Sequence, residues 1–302
     1  MRLSTSTNIC FNRPGGIKAD ITESVRRCAE AGYRVMDLNF HDCTTFRLPF
    51  VTDGWEKWID GIAAVAAELG VTFNQSHASF YNFCDSGYQN REFMDAMILR
   101  AVKCSGFLKI PYVVIHAGTD YSSSSMRRSS AEKNREYFKP VIEYASQAGT
   151  SIVFENLWDL NIAPRRRFTA DIEDLVEFAD SFSGAPVGIC YDTDHGTLMQ
   201  QDPEKSLQLI GDRLVATHIS DCISVECDHI LPYSGKSDWE KITRAFRTIG
   251  YKGDLTYEVH RYTQNLPDEL MDSALRHSID VGEYLIRQCR ENKTGGNHDN
   301  IG

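Results

Sequence analysis

The sequence predicts an α/β protein built as a single (β/α)8 TIM barrel, on three observations. Strand-like and helix-like patterns alternate from end to end, eight strand patterns are each followed by a helix pattern, and no Gly-x-Gly-x-x-Gly follows the first strand. The first two match the repeating unit of the barrel. The third removes the main support for an open doubly wound sheet, which also has fewer strands. At 302 residues the chain is of a size that α/β barrels reach as one domain. No internal linker divides it, so 1–291 reads as the barrel and 292–302, with almost nothing to bury, as a flexible tail.

Each element has a local reason. "LSTSTNI" (3–9) reads as the first strand. Asp20 opens a helix with Glu23 as its capping-box partner, and Ile21, Val25, Cys28 and Ala29 share one face. Gly32 stops it. "YRVMDLNF" (33–40) is the second strand, and its helix carries the stripe Trp55, Trp58, Ile59, Ile62, Val65, Ala66 and Leu69, ending at Gly70. "VTFNQSH" (71–77), a helix near 90–106, "YVVIHAG" (112–118), a helix near 130–148 and "TSIVFEN" (150–156) follow. A helix near 171–182 turns Ile172, Leu175, Val176, Ala179 and Phe182 inward, and "VGICYDT" (187–193) is the sixth strand. Asp202-Pro203 starts the next helix, with proline suited to its first turn. "LVATHIS" (214–220) precedes a helix boxed by Ser237 and Glu240, which buries Trp239, Ile242, Phe246 and Ile249. "GDLTYEVH" (253–260) is the eighth strand, and a last helix covers about 268–290.

Bulk properties exclude some functions. A net charge of −10 argues against nucleic acid or an anionic membrane as partner, because phosphate binding relies on Lys and Arg. The nine cysteines are odd in number, contain no Cys-x-x-Cys and lie in apolar segments, which reads as reduced thiols. The opening "MRLSTSTNIC" lacks the apolar run of a signal peptide, and no stretch approaches the ~20 apolar residues of a membrane span. A cytoplasmic protein is expected.

In a barrel the active site lies at the C-terminal ends of the strands. The ends of strands three to eight carry His77, His116, Glu155, Asp192 with His195, His218, and Glu258, and strands one and two add Asn8 and Asn39. A single histidine on a strand is more often a core residue, and a carboxylate at a strand end is usually a helix N-cap. Six consecutive ends of this kind are hard to obtain from such causes. Carboxylates brought together without a cation push up one another's pKa. Glu155, Asp192, His218 and Glu258 offer three oxygen donors and one nitrogen, a set that suits one divalent ion: Mn²⁺ first, or Co²⁺, Mg²⁺ or Zn²⁺.

The set "FEN" (154–156), "YDTDH" (191–195), "THISD" (217–221), "DHILPYSGKSDW" (228–239) and "YEVH" (257–260) resembles the xylose isomerase-like barrel superfamily. That group contains sugar isomerases and epimerases, dehydratases of cyclic polyols and apurinic-site endonucleases of the second family. The resemblance runs from strand three to strand eight and is specific for fold and metal, not for substrate. It implies that Glu155, Asp192, His218 and Glu258 are the ligands of a single metal, and that His195 contacts a substrate oxygen. It also implies that Glu155 and Glu258 move protons on opposite faces of one carbon of a ketose. His77, His116, His195 and His229 match further ligands of the three-zinc endonucleases; in a sugar enzyme they become candidate substrate contacts. Two positions depart from the patterns. Ser224 stands where ketose 3-epimerases usually carry an arginine, and Cys227 replaces the carboxylate two residues before His229, which disfavours DNA repair.

The expected chemistry is proton transfer next to a carbonyl polarised by the metal, with a carboxylate as general base. If nothing leaves, the enzyme is an isomerase or epimerase. If a β-substituent leaves, it is a lyase, such as an inosose-type dehydratase or the catalytic subunit of a C-glycoside deglycosidase acting on an oxidised sugar. The expected partner is a small carbohydrate or polyol, with a homo-oligomer or a second subunit compatible with the sequence. Metal-free binding on the same barrel is the reading from another class.

Three loops bear on substrate. The aromatics of "HDCTTFRLPFVTDG" (41–54) and "ASFYNFCDSGY" (78–88) either stack on a sugar face or form a satellite core. The arginines of "APRRRF" (163–168) either hold an anion or line a solvated loop, and "SSSSMRRSS" (122–130) looks like a flexible lid.

Overall fold

Alternation along the strands decides what faces the barrel axis. A computed structural model describes residues 1–161, 165–182 and 184–291; the tail expected at 292–302 lies outside the described residues. The strands are β1 (Leu3–Ser6), β2 (Val35–Asn39), β3 (Thr72–His77), β4 (Tyr112–Ile115), β5 (Ser151–Glu155), β6 (Val187–Asp192), β7 (Leu214–His218) and β8 (Leu255–Tyr257). They form one parallel sheet in the order β7-β6-β5-β4-β3-β2-β1-β8. β1 pairs with β8 in the register Leu3–Leu255, Ser4–Thr256 and Thr5–Tyr257. The ring closes between β7 and β8 through a thinner seam. An isolated bridge joins Ile219 to Tyr257; Ile219 N donates to Thr256 O at 2.7 Å, and Glu258 N to Ile219 O at 3.3 Å. The molecule is a (β/α)8 TIM barrel.

The helices are α1 (Ile21–Ala31), α2 (Phe40–Thr45), α3 (Trp55–Leu69), α4 (Arg91–Phe107), α5 (Met126–Ala148), α6 (Ile172–Asp180), α7 (Thr193–Leu198), α8 (Pro203–Ile210), α9 (Trp239–Thr248), α10 (His260–Thr263) and α11 (Asp268–Arg290). Short α2, α7 and α10 were not foreseen. They begin where the expected strands were drawn too long; at α2 and α7 a polar residue at the strand end, Asn39 or Asp192, caps the next turn, whereas α10 starts after Val259 without a side-chain cap. Asp20 caps α1 through Thr22 N at 2.8 Å, and Asp202 caps α8. The box expected from Ser237 is corrected. Asp238 caps α9, accepting from Lys241 N at 3.1 Å, while Ser237 Oγ meets Thr197 Oγ. The segment 122–130 is also more ordered than a lid: α5 starts within it, and Asp120 accepts from Ser122 Oγ and Ser129 Oγ, both at 2.6 Å, and pairs with Lys133 at 2.7 Å.

Two cores result. Phe154, Tyr191, Ile115, Leu38 and Tyr257 point outward and meet the helices. Val114, Val153, Cys190 and Ala216 form a separate cluster inside the ring. At Gly282 helix α11 lies close against β1: a Cβ there would fall 2.4 Å from Leu3 Cδ1. All nine cysteines are unpaired, eight of them buried and Cys227 half-buried. Among the described residues no helix is long and apolar enough to cross a membrane.

Candidate metal centre and active site

The site follows from the period of two along a strand. Val153, Cys190 and Ala216 fill the ring's interior, so Glu155, Asp192 and His218, two residues further on, must point to its axis one layer higher. His116 stands in the same way above Val114. The structure brings together Glu155, Asp192, His218 and Glu258, whose ligand atoms all lie within 4.8 Å of one another. His218 Nδ1 is 2.8 Å from Glu155 Oε1 and 3.2 Å from Glu258 Oε2. The other Glu155 oxygen faces His116 Nε2 at 3.1 Å and His77 Nε2 at 3.3 Å. Asn8 Nδ2 donates to Glu258 Oε1 at 3.2 Å.

Asp192 unites the two readings of a strand-end carboxylate. Its Oδ1 caps α7, accepting from Asp194 N at 2.9 Å and His195 N at 3.2 Å. Its Oδ2 is buried and has no hydrogen-bond partner. Burial raises this carboxyl to about 6; His229 opposes the rise and Glu155 adds to it. Burial also works to raise Glu155 and Glu258, but neighbouring histidines, His218 foremost, hold Glu155 well below the carboxylate range and Glu258 at about 2.

These residues fit a divalent cation. His77 Nδ1 donates to Ala78 O at 2.9 Å, so a neutral His77 would turn a lone pair toward the Glu155 carboxylate. A proton or a cation has to separate them. Three carboxylates and an imidazole within one pocket, with Asp192 Oδ2 unpaired, are the donors that such an ion takes. Among the described residues three further groups of potential ligands share this core: His77, His116 and Glu155 on one side, Asp192, Asp194, His195 and His229 on the other, and Glu155 and His218 with Cys190 below them.

Several site residues escaped the sequence reading. Asp37 on β2 is fully buried, neither oxygen has a hydrogen-bond partner, and Oδ2 approaches His218 Nε2 at 3.6 Å. It sits behind the histidine, as carboxylates behind metal-bound histidines do. Asn156 brackets β6: its Oδ1 accepts from Asp192 N at 2.7 Å, and its carbonyl accepts from His195 Nδ1 at 2.8 Å. That bond leaves His195 Nε2 as the free nitrogen of the neutral ring. Asp194 accepts from His229 N at 2.7 Å and lies 3.3 Å from His229 Nδ1. Burial raises Asp194 to about 7, whereas His229 rises to about 9 against its own burial because of Asp194. Asp228 turns away to Arg261 at 2.6 Å.

The mouth loops divide between core and site. Phe50 packs on Phe40 and Trp58, and Tyr81 and Phe83 pack with Tyr88, Tyr137 and Phe138, all continuous with the outer core rather than a satellite of it. Phe80 instead stacks between His41, at 3.9 Å, and His116, at 3.8 Å. It brings an aromatic face beside the candidate metal ligands.

The family model described as xylose isomerase-like TIM barrel matches residues 25–280. The chain is similar to y4fM, an uncharacterised protein of Sinorhizobium fredii (strain NBRC 101917 / NGR234), with 28% identity over 166 residues. That match takes in 54% of this chain and 51% of the relative, so the chain spans about half the length of the curated relative it matches. A D-tagatose 3-epimerase-like protein superposes with a TM-score of 0.75 at 16% identity, covering 96% of this chain and 98% of the other. D-psicose 3-epimerase of Clostridium cellulolyticum H10, solved with D-tagatose, gives 0.72 at 17% identity over 95% and 99%. The 3-keto-D-glucoside 4-epimerase YcjR of E. coli gives 0.69 at 16% identity over 95% and 99%. At these identities the likeness to the solved structures is one of fold.

Proposed function

The chain belongs to the xylose isomerase-like TIM barrel family, and from that premise we propose that it is a divalent-metal-dependent sugar isomerase or epimerase acting by proton transfer next to a carbonyl. One observation carries the reading: Glu155, Asp192, His218 and Glu258, from four successive strand ends, converge within 4.8 Å. Epimerases among the structures of the same fold support it.

A divalent cation held by these four residues, with Mn²⁺ the first choice, would polarise a carbonyl oxygen and so ease removal of the adjacent proton. Glu155 and Glu258 are the proton carriers in this reading. Both are held ionised, as a general base requires, and they approach His218 Nδ1 from two directions. His195, with Nδ1 fixed by Asn156, offers Nε2 to a substrate hydroxyl. His77, His116 and His229 border the same space and are further substrate contacts. Nine unpaired cysteines suit a reducing compartment, hence a cytoplasmic enzyme.

Elemental analysis of the protein beside Glu155→Gln and His218→Ala tests the metal. About one equivalent of Mn, Co, Mg or Zn in the parent, lost in both variants, is expected. Absence of metal after reconstitution would leave a binding protein on a barrel. About three equivalents of zinc would favour the endonuclease branch instead. Proton NMR in deuterium oxide with a panel of ketoses then tests the chemistry. Exchange at the carbon beside the carbonyl supports isomerase or epimerase action, whereas an unsaturated product would convert the reading to a lyase.

A further inference from the structure

The three consecutive arginines after β5 do three different things. Arg165 is exposed and donates to Tyr121 O at 3.1 Å. Arg166 donates to Asn161 O at 3.1 Å and pairs with Asp171 at 2.6 Å. Arg167 is half-buried, and among the described residues its guanidinium makes neither a hydrogen bond nor an ion pair. A half-buried guanidinium without a protein partner keeps contact with water and is open to an anion. Burial lowers its pKa, although Tyr121, Asp159 and Glu155 favour the cation.

Its position is built. Arg167 N donates to Asp159 Oδ2 at 2.7 Å, and Phe168 N to Thr119 Oγ1 at 2.9 Å. Thr169 takes a left-handed φ of 69°, donates through Oγ1 to Glu155 O at 3.1 Å, and accepts from Leu157 N at 3.1 Å. The loop that carries Arg167 is thereby tied to the backbone of a candidate metal ligand. The charge of Arg167 reaches Glu155 and opposes protonation of His116. Across the mouth the sign reverses: Asp42 on α2 lies within electrostatic reach of Glu258, and burial raises it to about 6. Asp42 thus lies on the β2 side of the mouth and Arg167 on the β5 side.

We propose that the substrate of this site is an anionic carbohydrate, a keto sugar bearing a carboxylate, and that Arg167 binds the carboxylate and sets specificity. The inference rests on the proposed function and narrows its substrate class. One planar guanidinium matches one carboxylate fork to fork. Arg165 and Arg166 bond elsewhere, to Tyr121 O and to Asp171, which leaves one guanidinium for one anionic group.

Calorimetric titration of the metal-loaded protein tests this with matched probes: the ketohexonates D-fructuronate and D-tagaturonate, the neutral ketohexoses D-fructose and D-tagatose, and the 6-phosphates of these ketohexoses. The parent should bind the ketohexonates about tenfold or more tighter than the ketohexoses. Arg167→Met should abolish that ratio with metal content and ketohexose binding unchanged, and Arg167→Lys should keep part of it. Equal binding of acid and neutral probes by the parent, or an unchanged ratio in Arg167→Met, overturns the inference, since an arginine that merely offsets the charge of Glu155 would give either. Tighter binding of the 6-phosphates than of the ketohexonates overturns the choice of carboxylate. A protein that takes up no metal sinks the proposed function and this inference with it; a metal-loaded one without acid preference sinks this inference alone.

Discussion

Asp37 and His41 show what single residues contribute beyond the ring of ligands. With Oδ2 3.6 Å from His218 Nε2 and no hydrogen bond elsewhere, Asp37 keeps Nδ1 of that imidazole turned toward Glu155 and Glu258. Asp37→Asn should weaken metal affinity roughly 10- to 100-fold, measured by competition with a chelating dye, while Asp37→Glu keeps part of it. His41, stacked on Phe80, is held at about 3 by burial, with His77 and His116 adding to the effect. Its ordinary value is 6.5, so between about 3 and 6.5 the unfolded chain binds a proton that the folded one refuses. Stability from this source is complete above that window and is lost as pH falls through it. Urea denaturation of the metal-free protein from about pH 4 to 7 should therefore show a shallower acid decline for His41→Gln. The ring of ligands was legible because His, Asp and Glu recur at strand ends, where apolar runs stop. Asp37 was not, because it lies inside "VMDLN" and looks like an interruption of a strand. The signal was its parity with Asn39, two residues on and also facing the axis.

Elements were legible to their cores and misjudged at their ends. β1 was expected to reach residue 9, yet Ser6 Oγ accepts from Asn8 N and the chain turns. Likewise Asn39 caps α2 through Asp42 N at 2.8 Å, and Asp192 caps α7. Alternation and apolar content cannot separate a strand residue from a cap that follows it directly. The loop after β7 is a case where tertiary bonds decide. Asp221 is fully buried and accepts from Cys222 N, Gly235 N, Ser237 N and Trp239 Nε1, at 2.8 to 3.0 Å. It ties the start of the loop to the start of α9, where a Cβ on Gly235 would fall 2.4 Å from Asp221 Oδ1. Asp221→Ala strands four donors and should cost roughly 3 kcal/mol or more in chemical denaturation, with Gly235→Ala destabilising the same loop.

For the whole molecule the decisive feature is closure. β5 and β6 share four paired positions, whereas β7 and β8 meet through the bridge at Ile219 and Tyr257. The candidate ligands come from the ends of β5, β6, β7 and β8, so a cation would fasten the thin seam to the strong side of the ring. Hydrogen exchange should be faster at the amides of Ile219 and Glu258 than along β5 and β6. Metal loading should slow it at the seam and leave β2 and β3 little changed. Eight strands were countable in the sequence because each brought its own helix. The weak seam was not, since pairing depends on how far each strand extends before its end turns into a cap.

The buried cysteines give this architecture its own reporter. They lie in several sectors, from Cys10 and Cys28 at α1 to Cys104 on α4, Cys190 inside the ring and Cys289 on α11, with none between Cys104 and Cys190, and Cys227 alone is partly open to solvent. A thiol reagent added to the native protein therefore has one fast target. Each later label, assigned by peptide mass, dates the opening of the sector that hid it, so the order of modification is a map of how the barrel comes apart.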